Sequence, residues 1–438
     1  MNLVKILFFL VVWCSLQAQT YYFPPLTGNA WEKYTPEQLG WCTEKIPALY
    51  DFLEQQDTKA FIVLKDGKIV LEKYFGTFTA DSSWYWASAG KTLTSFLVGK
   101  AQEQGKLNLS DPTSKHLGKK WTSLTEDKED KITIWHQMTM TSGLDDGSGD
   151  PYCTDPICLL YKADAGTRWA YHNGPYTLLD EVVKSAIGKN LNAYASEVLF
   201  SKTGMTGLFF KIDFNNVFFS KPRSMARFGS LILNKGDWNN NIILSDKDYL
   251  EDAVNTSQNL NLSYGYLWWL NGKESSMLPG SQVVFNRSLF TNAPADMFSA
   301  LGKNGQFLNI VPSQNLVMVR MGNFNNSLPV PFLMNDDIWK YFNQVQCTTP
   351  TSELDNSDFS VSIFPNPSSY GFTIKSKSLI EEVRLFDVSG SLIETWKGKG
   401  EEMYLEKGDL FNKPGIYIFE VKNSSGEISR IRHIILGE

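Results

Sequence analysis

Apolar residues recur at three periods along this chain, and each change of period marks an element. At the N-terminus the run Ile6 to Trp13 is apolar without interruption and follows Lys5, and Ala18 precedes Gln19. A basic residue, a short apolar run and a small residue at the end read as a secretory signal peptide over residues 1–18. The run is too short to cross a bilayer. Residues 21–35 read as an extended lead-in. Leu39, Ile46, Leu49 and Leu53 then fall on one stripe, which predicts an amphipathic helix from Glu37 to Glu54. "AFIVLKDGKIVLEKYFG" predicts two strands around the turn Asp66-Gly67. A helix beginning near Ser88 stops near Gly105. "ITIWHQMTMTSGLDD" predicts a helix ending at Gly143, and another runs from about Pro175 to Ile187. Helices and short loops are expected to about Asn255. Strand patterns return in "YGYLWWLNG" and "QFLNIVPSQNLVMVRMGN", and "DDIWKYFNQVQC" reads as a closing helix.

Beyond Cys347 the period changes again. "CTTPTSELDNSDFS" is polar and aperiodic, a linker over residues 348–358. "VSIFPNPSSYGFTIKSK", "IEEVRLFDVSGSLIETW" and "GIYIFEVKNSSGEISRIRHIIL" alternate apolar and polar positions. Pro365-Asn366-Pro367, Ser389-Gly390 and Ser425-Gly426 punctuate them. Residues 359–438 therefore predict a small all-β sandwich. In residues 19–347, helices are enclosed by strands from both ends, which predicts one sheet built from the two ends of an α/β domain.

Composition narrows the class. The 438 residues are 42% apolar and 20% charged, with a net charge of -6. This is ordinary globular composition and argues against a nucleic-acid partner. No segment after the leader reaches the ~18 apolar residues of a membrane span. Export permits disulfides, and Cys42, Cys153, Cys158 and Cys347 follow the leader. Cys153 and Cys158 flank a short turn, and Cys42 and Cys347 lie near the two ends of the large domain. Bridges Cys42–Cys347 and Cys153–Cys158 are expected; four buried free thiols are the other arrangement. No Cys/His spacing suggests zinc.

Three short motifs carry candidate chemistry. Ser88 and Lys91 stand at i and i+3 at the head of an apolar helix, so both fall on one face. A serine becomes a nucleophile when a neighbouring base takes its proton, and a lysine serves as that base when burial lowers its pKa. The same spacing also suits an ordinary helix start. Tyr171 and Asn173 lie in "GTRWAYHNGPYTLLDEVV": the phenol can shuttle a proton, as a phenolate favoured by nearby cations, and the amide can hold a substrate. A core tyrosine and a turn asparagine are the plain alternative. His172 between them is read as structural. In "ALGKNGQFLNIVPSQNLVMV", Lys303 and Gly305 are expected to open an edge strand that lines a cleft, and the Gln306 N–H to complete an oxyanion hole. Lys202-Thr203-Gly204 sits at a helix end with no strand after it and is set aside. Trp84, Tyr85, Trp86, Trp268 and Trp269 read as core more readily than as cleft walls. Asp145–Asp150 reads as a solvated loop, since it lacks the distal glutamate of a calcium loop.

Ser88-x-x-Lys91, Tyr171-x-Asn173 and Lys303-x-Gly305, in that order, resemble the three motifs of the serine β-lactamase and penicillin-recognising enzyme superfamily. "MTMTSGLDD", "EVLFSKTGM" and "YGYLWWL" look like phrases of its class C and esterase-like branch. The resemblance covers roughly residues 30–345 and implies an antiparallel sheet flanked by helices. It implies a metal-independent serine hydrolase with no cofactor, in which Ser88 is acylated, Lys91 and Tyr171 manage its proton, and Asn173 and Lys303 orient a small-molecule or peptide acyl substrate. Asn304 stands where true β-lactamases carry threonine or serine, so an ester, amide or peptide substrate is expected before a β-lactam. A catalytically silent ligand-binding member and a surface adhesin are the alternatives. "FPNPSSYGFTI", "VRLFDVSGSLI" and "KPGIYIFEV" look like the sorting domain of the type IX (Por) secretion system. That resemblance implies the type IX machinery as a partner and a secreted or outer-surface location.

Overall fold

Thr58–Lys65 (β1) and Lys68–Tyr74 (β2) form the expected hairpin, and its turn residues Asp66 and Gly67 carry φ of 50° and 82°. Two successive left-handed residues match the twist of the flanking strands, which is why Asp-Gly suits this turn. The computed structural model describes residues 21–147, 149–324, 330–347, 359, 361–364, 368, 371–387, 391–398, 400–406 and 415–435. The leader over residues 1–18 and the linker over 348–358 lie outside the described residues, as do the turns Pro365-Asn366-Pro367 and Ser389-Gly390.

Trp84–Tyr85 (β3), Gly207–Ile212 (β4) and Asn215–Ser220 (β5) pair in the order β3-β5-β4. The short strands Asp237–Trp238 (β6) and Asn241–Ile242 (β7) pair with each other. Trp269–Leu270 (β8), Phe298–Gly302 (β9), Gln306–Val311 (β10) and Leu316–Gly322 (β11) join the first hairpin in one antiparallel sheet, ordered β2-β1-β11-β10-β9-β8. Both ends of the domain thus meet where β1 pairs with β11. The apolar runs "AFIVL" and "LVMV" suit that position, because the central strands are buried on both faces.

Strand parity assigns the two layers. Leu308 and Val317 face the helix Pro222–Leu233, where a Cβ on Gly229 would stand 2.5 Å from Val317. Only glycine lets that helix lie so close to the sheet. The opposite face carries Asn309, whose amide donates to Asn335 Oδ1 at 2.8 Å on the helix Phe332–Val345. Helix Ile46–Gln55 packs beside that helix. Arg320 lies on the same face as Asn309 and is fully buried. It donates from Nε to Thr58 Oγ1, from Nη1 to the carbonyls of Asn304 and Gly305, and from Nη2 to those of Gln56 and Asn323. All five donors are used, and two of them hold the turn between β9 and β10.

The fold departs from the pattern in four places. The helix expected over Glu37 to Glu54 is divided: Pro36–Leu39 ends at Gly40 with φ 68°, and the α-helix proper is Ile46–Gln55. A left-handed glycine stops a helix whatever the stripe on either side. The helix expected to end at Gly143 covers only Ile134–Met138, because Met140 adopts φ 59°. Residues 207–220 form a hairpin rather than helix, and "YGYLWWLNG" yields only the two-residue β8. Cys42–Cys347 and Cys153–Cys158 are both bridged. Among the described residues no helix is long and apolar enough to cross a membrane.

The C-terminal segment forms Val361–Phe364 (β12), Gly371–Ser376 (β13), Ile380–Phe386 (β14), Leu392–Lys397 (β15), Glu402–Glu406 (β16), Gly415–Asn423 (β17) and Ile428–Ile435 (β18). They make two sheets, β12-β13-β16 and β15-β14-β17-β18. Ile374 from one sheet and Val383, Leu385, Phe419 and Val421 from the other share one core. The alternation in the sequence is the alternation of inward and outward positions.

Three stability outcomes are expected. Replacing Cys42 and Cys347 together by serine lowers the unfolding free energy by up to about 5 kcal/mol, because that bridge spans 305 residues. Replacing Cys153 and Cys158, five residues apart, costs about 2 kcal/mol on the same argument. Urea midpoints at matched slope measure both. Arg320→Met leaves five acceptors, buried or partly buried, without their donor and costs about 3–5 kcal/mol in the same assay.

Candidate functional site

Ser88 is placed by the three aromatic residues before it. Trp84 and Tyr85 pair as β3 with Ser220 and Phe219. The Trp86 N–H donates to Phe218 O at 2.8 Å, and its indole donates to Ser220 Oγ at 2.7 Å. Trp86 is completely buried against the rings of Phe218 and Phe228. The chain then leaves the sheet through Ala87 at φ 47°, a strained conformation for a residue with a Cβ. One 3-10 turn, Ala87–Gly90, leads directly into the helix Lys91–Glu103. Ser88 therefore sits just ahead of the helix, with Lys91 as its first residue.

The lysine amine is in the core, not at the surface: Lys91 is 4% exposed. Its Nζ donates to Ser88 Oγ at 3.3 Å and to Asn173 Oδ1 at 2.8 Å. It stands 3.9 Å from the ring centroid of Tyr176 and 5.2 Å from that of Tyr171. Burial disfavours the ammonium and pushes this amine down to about 7, with the Asp180 carboxylate pulling the other way. A lysine that is part neutral at neutral pH and touches a serine hydroxyl can act as a base.

The Tyr171 hydroxyl lies on the Ser88 side chain's side of the cluster, near enough to sense that hydroxyl. Its ring stacks on Trp269 at 5.6 Å and 23°, with Tyr264 edge-on at 6.2 Å. Burial pushes the phenol well above its ordinary pKa, and the nearby Ser88 hydroxyl opposes this only in part. The expectation of a phenolate favoured by nearby cations does not hold. Burial leaves Lys91 only part charged near neutral pH and Lys303 is exposed, so little offsets the burial that disfavours a Tyr171 phenolate. Asn173 opens the helix Asn173–Thr177. His172 is buried away from this cluster, beside Asp145, Asp146 and Arg168, and burial pushes its ring down to about 4.

The third motif is only partly at the cleft, and the strand it opens is not at an edge: β10 pairs with β9 on one side and β11 on the other. A Cβ on Gly302 would stand 2.4 Å from Trp86 O and 3.0 Å from the Ala89 nitrogen, so the end of β9 lies directly on the Ser88 turn. Lys303 follows with its side chain exposed. Asn304, at φ 60°, donates its amide to Tyr85 Oη at 2.7 Å. Gly305 faces Met334 and Arg320, and the Gln306 side chain is tied to the carbonyl and N–H of Gly322. The glycine at 305 thus makes room for a guanidinium rather than for a ligand. Trp268 and Trp269 are core, with Trp269 serving as the platform under Tyr171.

Three contributors escaped the sequence: Gly302, Tyr176 and Asp180. The last two had a signal. Asn173, Tyr176 and Asp180 recur at i, i+3 and i+7, one face of a helical stretch, and an acid there interrupts the apolar stripe of Leu179, Val182 and Val183.

Comparisons with known proteins agree with this architecture. Residues 51–341 match the Beta-lactamase family model, and residues 362–436 match the Secretion system C-terminal sorting domain. The chain is 27% identical over 160 residues to PbpX of Bacillus subtilis, whose name assigns it provisionally to the penicillin-binding proteins. That alignment covers 33% of this chain and only 39% of PbpX. It is 22% identical over 281 residues to 6-aminohexanoate-dimer hydrolase of Paenarthrobacter ureafaciens, covering 54% of this chain and 70% of the relative. A solved Bacillus anthracis protein, provisionally named a 6-aminohexanoate-dimer hydrolase, superposes with a TM-score of 0.54 at 20% identity, over 74% of this chain and 91% of its own. A penicillin-binding protein homolog from Caulobacter crescentus superposes at 0.53 and 13% identity, over 69% and 98%. At such identities the superpositions establish the fold alone. The family match spans well over half of the sequence, and on that ground this chain belongs to the beta-lactamase family and carries a secretion system C-terminal sorting domain.

Proposed function

We propose that this protein is a secreted serine hydrolase that cleaves an ester or amide through an acyl-enzyme on Ser88. The observation that carries this reading is the 3.3 Å contact between Ser88 Oγ and a Lys91 amine that burial has brought to about 7. As Oγ bonds to the substrate carbonyl carbon, the hydroxyl proton passes to Lys91 Nζ and the carbonyl electron pair moves onto oxygen. Backbone N–H groups of Ser88 and of the Gly302–Gln306 turn receive that oxyanion. The proton then reaches the leaving group through the Tyr171 hydroxyl, which gives one proton and takes one. The leaving group departs as an alcohol or amine. In the second half, water attacks the acyl carbon and gives its proton to the same relay, which restores Ser88. Asn173 and Lys303 orient the substrate.

The substrate class is read from what the third motif lacks. Asn304 spends its amide on Tyr85, and no threonine or serine hydroxyl stands there to meet a β-lactam carboxylate. The likeness to 6-aminohexanoate-dimer hydrolase supports a linear amide or ester. The C-terminal sheets are the address read by type IX secretion, which delivers the enzyme to the cell surface or beyond it.

A fluorophosphonate probe is expected to label the native chain at Ser88, and Ser88→Ala to abolish the adduct. The unprotonated amine is the active form, so the labelling rate rises as pH passes about 7 and levels off above it. Lys91→Met lowers the plateau by roughly 10²–10⁴-fold. No adduct on the folded native chain, together with no turnover of p-nitrophenyl esters or linear amides, returns the protein to the ligand-binding alternative. Deleting residues 359–438 is expected to leave the protein inside the outer membrane, measured by fractionation; unchanged export would remove the sorting role.

A further inference from the structure

Behind Lys91, on the side away from Ser88, the core holds a carboxylic acid that the proposed chemistry has not used. Asp180 lies on the helix Leu179–Ile187 and is 4% exposed. Its Oδ1 accepts from Thr94 Oγ1 at 3.4 Å, and its Oδ2 accepts from Asn216 Nδ2 at 2.5 Å on β5. Thr94 Oγ1 also stands 3.3 Å from Tyr176 Oη. The Tyr176 ring is the face on which Lys91 Nζ rests at 3.9 Å. Acid, hydroxyl, phenol ring and amine are thus stacked in a line through the interior. Thr94 is one turn beyond Lys91, so one helix presents both ends of this line.

An enclosed carboxylic acid is costly, and the stripe of Leu179, Val182 and Val183 around it invites an apolar residue instead. The charged and titratable groups facing Asp180 are few. Lys91 comes from the helix Lys91–Glu103 and Tyr176 from the preceding turn; Glu181, its neighbour, projects to the exposed side. Asn216 and Thr94 supply neutral donors. Around Lys91 stand Ser88, Tyr171, Asn173 and Tyr176, none of them charged at neutral pH.

We propose that Asp180 is a positioning residue for Lys91: its buried carboxylate, reached through Thr94 and Tyr176, is the counter-charge for the ammonium that forms when Lys91 takes the Ser88 proton. This rests on the hydrolase reading above. The proton moves from Ser88 Oγ to Lys91 Nζ and no further; Asp180 exchanges no proton in the step and acts through its charge. In a poorly screened interior such a charge is felt across a ring. Burial pushes the Asp180 carboxyl up to about 7, the Asn216 and Thr94 hydrogen bonds and, less, the Lys91 ammonium draw it down, and the carboxylate, present above that pH, in turn raises the amine. Each group favours the ionised form of the other, so the ammonium made during acylation has a partner waiting.

Asp180→Asn keeps the shape and an acceptor while removing the charge. The pH profile of fluorophosphonate labelling is expected to move its midpoint to lower pH, with a plateau about tenfold lower, since one pKa unit of lost basicity corresponds to a factor of ten. Titration of ¹³Cε-labelled lysine by NMR, with the Lys91 resonance assigned by its absence in Lys91→Arg, reads the same midpoint without any reaction. Asn216→Ala, which removes a donor to the carboxylate, shifts it in the same direction by less and serves if Asp180→Asn does not fold. A purely structural Asp180 changes stability and rate but leaves both midpoints where the native protein has them, and that result overturns the proposal. If native Ser88 takes no label, the hydrolase reading fails, while the NMR midpoint still decides the role of Asp180.

Discussion

One positive charge taken out of water governs the candidate site. An amine on a four-carbon stem ordinarily reaches solvent, where it is fully protonated and useless as a base. Here the Lys91 stem is enclosed by Tyr171, Tyr176 and the helix it starts, and its nitrogen is bonded to Ser88 and Asn173. Dehydration penalises the ammonium, so that near neutral pH part of the amine in contact with the hydroxyl is neutral. Everything that keeps water from that nitrogen therefore sets its charge, including residues that do not touch it.

That enclosure is assembled from distant parts of the chain. Trp269 lies under Tyr171, β5 holds the aromatic lead-in to Ser88, and Gly302 presses the end of β9 against the Ser88 turn. The sheet that carries β9 closes only because β1 pairs with β11, and the Cys42–Cys347 bridge joins the two ends of the same domain. Arg320 transmits this order to the turn after β9 by giving two of its five donors to the carbonyls of Asn304 and Gly305. The guanidinium makes no ion pair among the described residues and is tolerated in the core because every N–H has an oxygen to meet.

The motifs differ in how directly the chain reveals them. Ser88 and Lys91 were legible because a helix brings i and i+3 together whatever surrounds it. The hairpin at Asp66-Gly67 and the alternating C-terminal strands were legible for the same reason, as properties of a few adjacent residues. The 303–306 stretch was harder. Its glycine looked like room for a ligand and proves to be room for Arg320, a residue fifteen positions away on the neighbouring strand. The hairpin β4–β5 was hidden in a region that reads as helices, because its pairing partner β3 lies more than a hundred residues earlier.

Taken alone, the sequence determined the local periods, the turn residues, the order of three short motifs and the alternation of the last strands, since each depends on backbone geometry over a few positions. It left open whether the lysine amine and the tyrosine hydroxyl are cut off from water, and whether Asp180 is buried. Those depend on which segments cover which atoms. Desolvation is a property of the assembled interior, and only the tertiary structure supplies it.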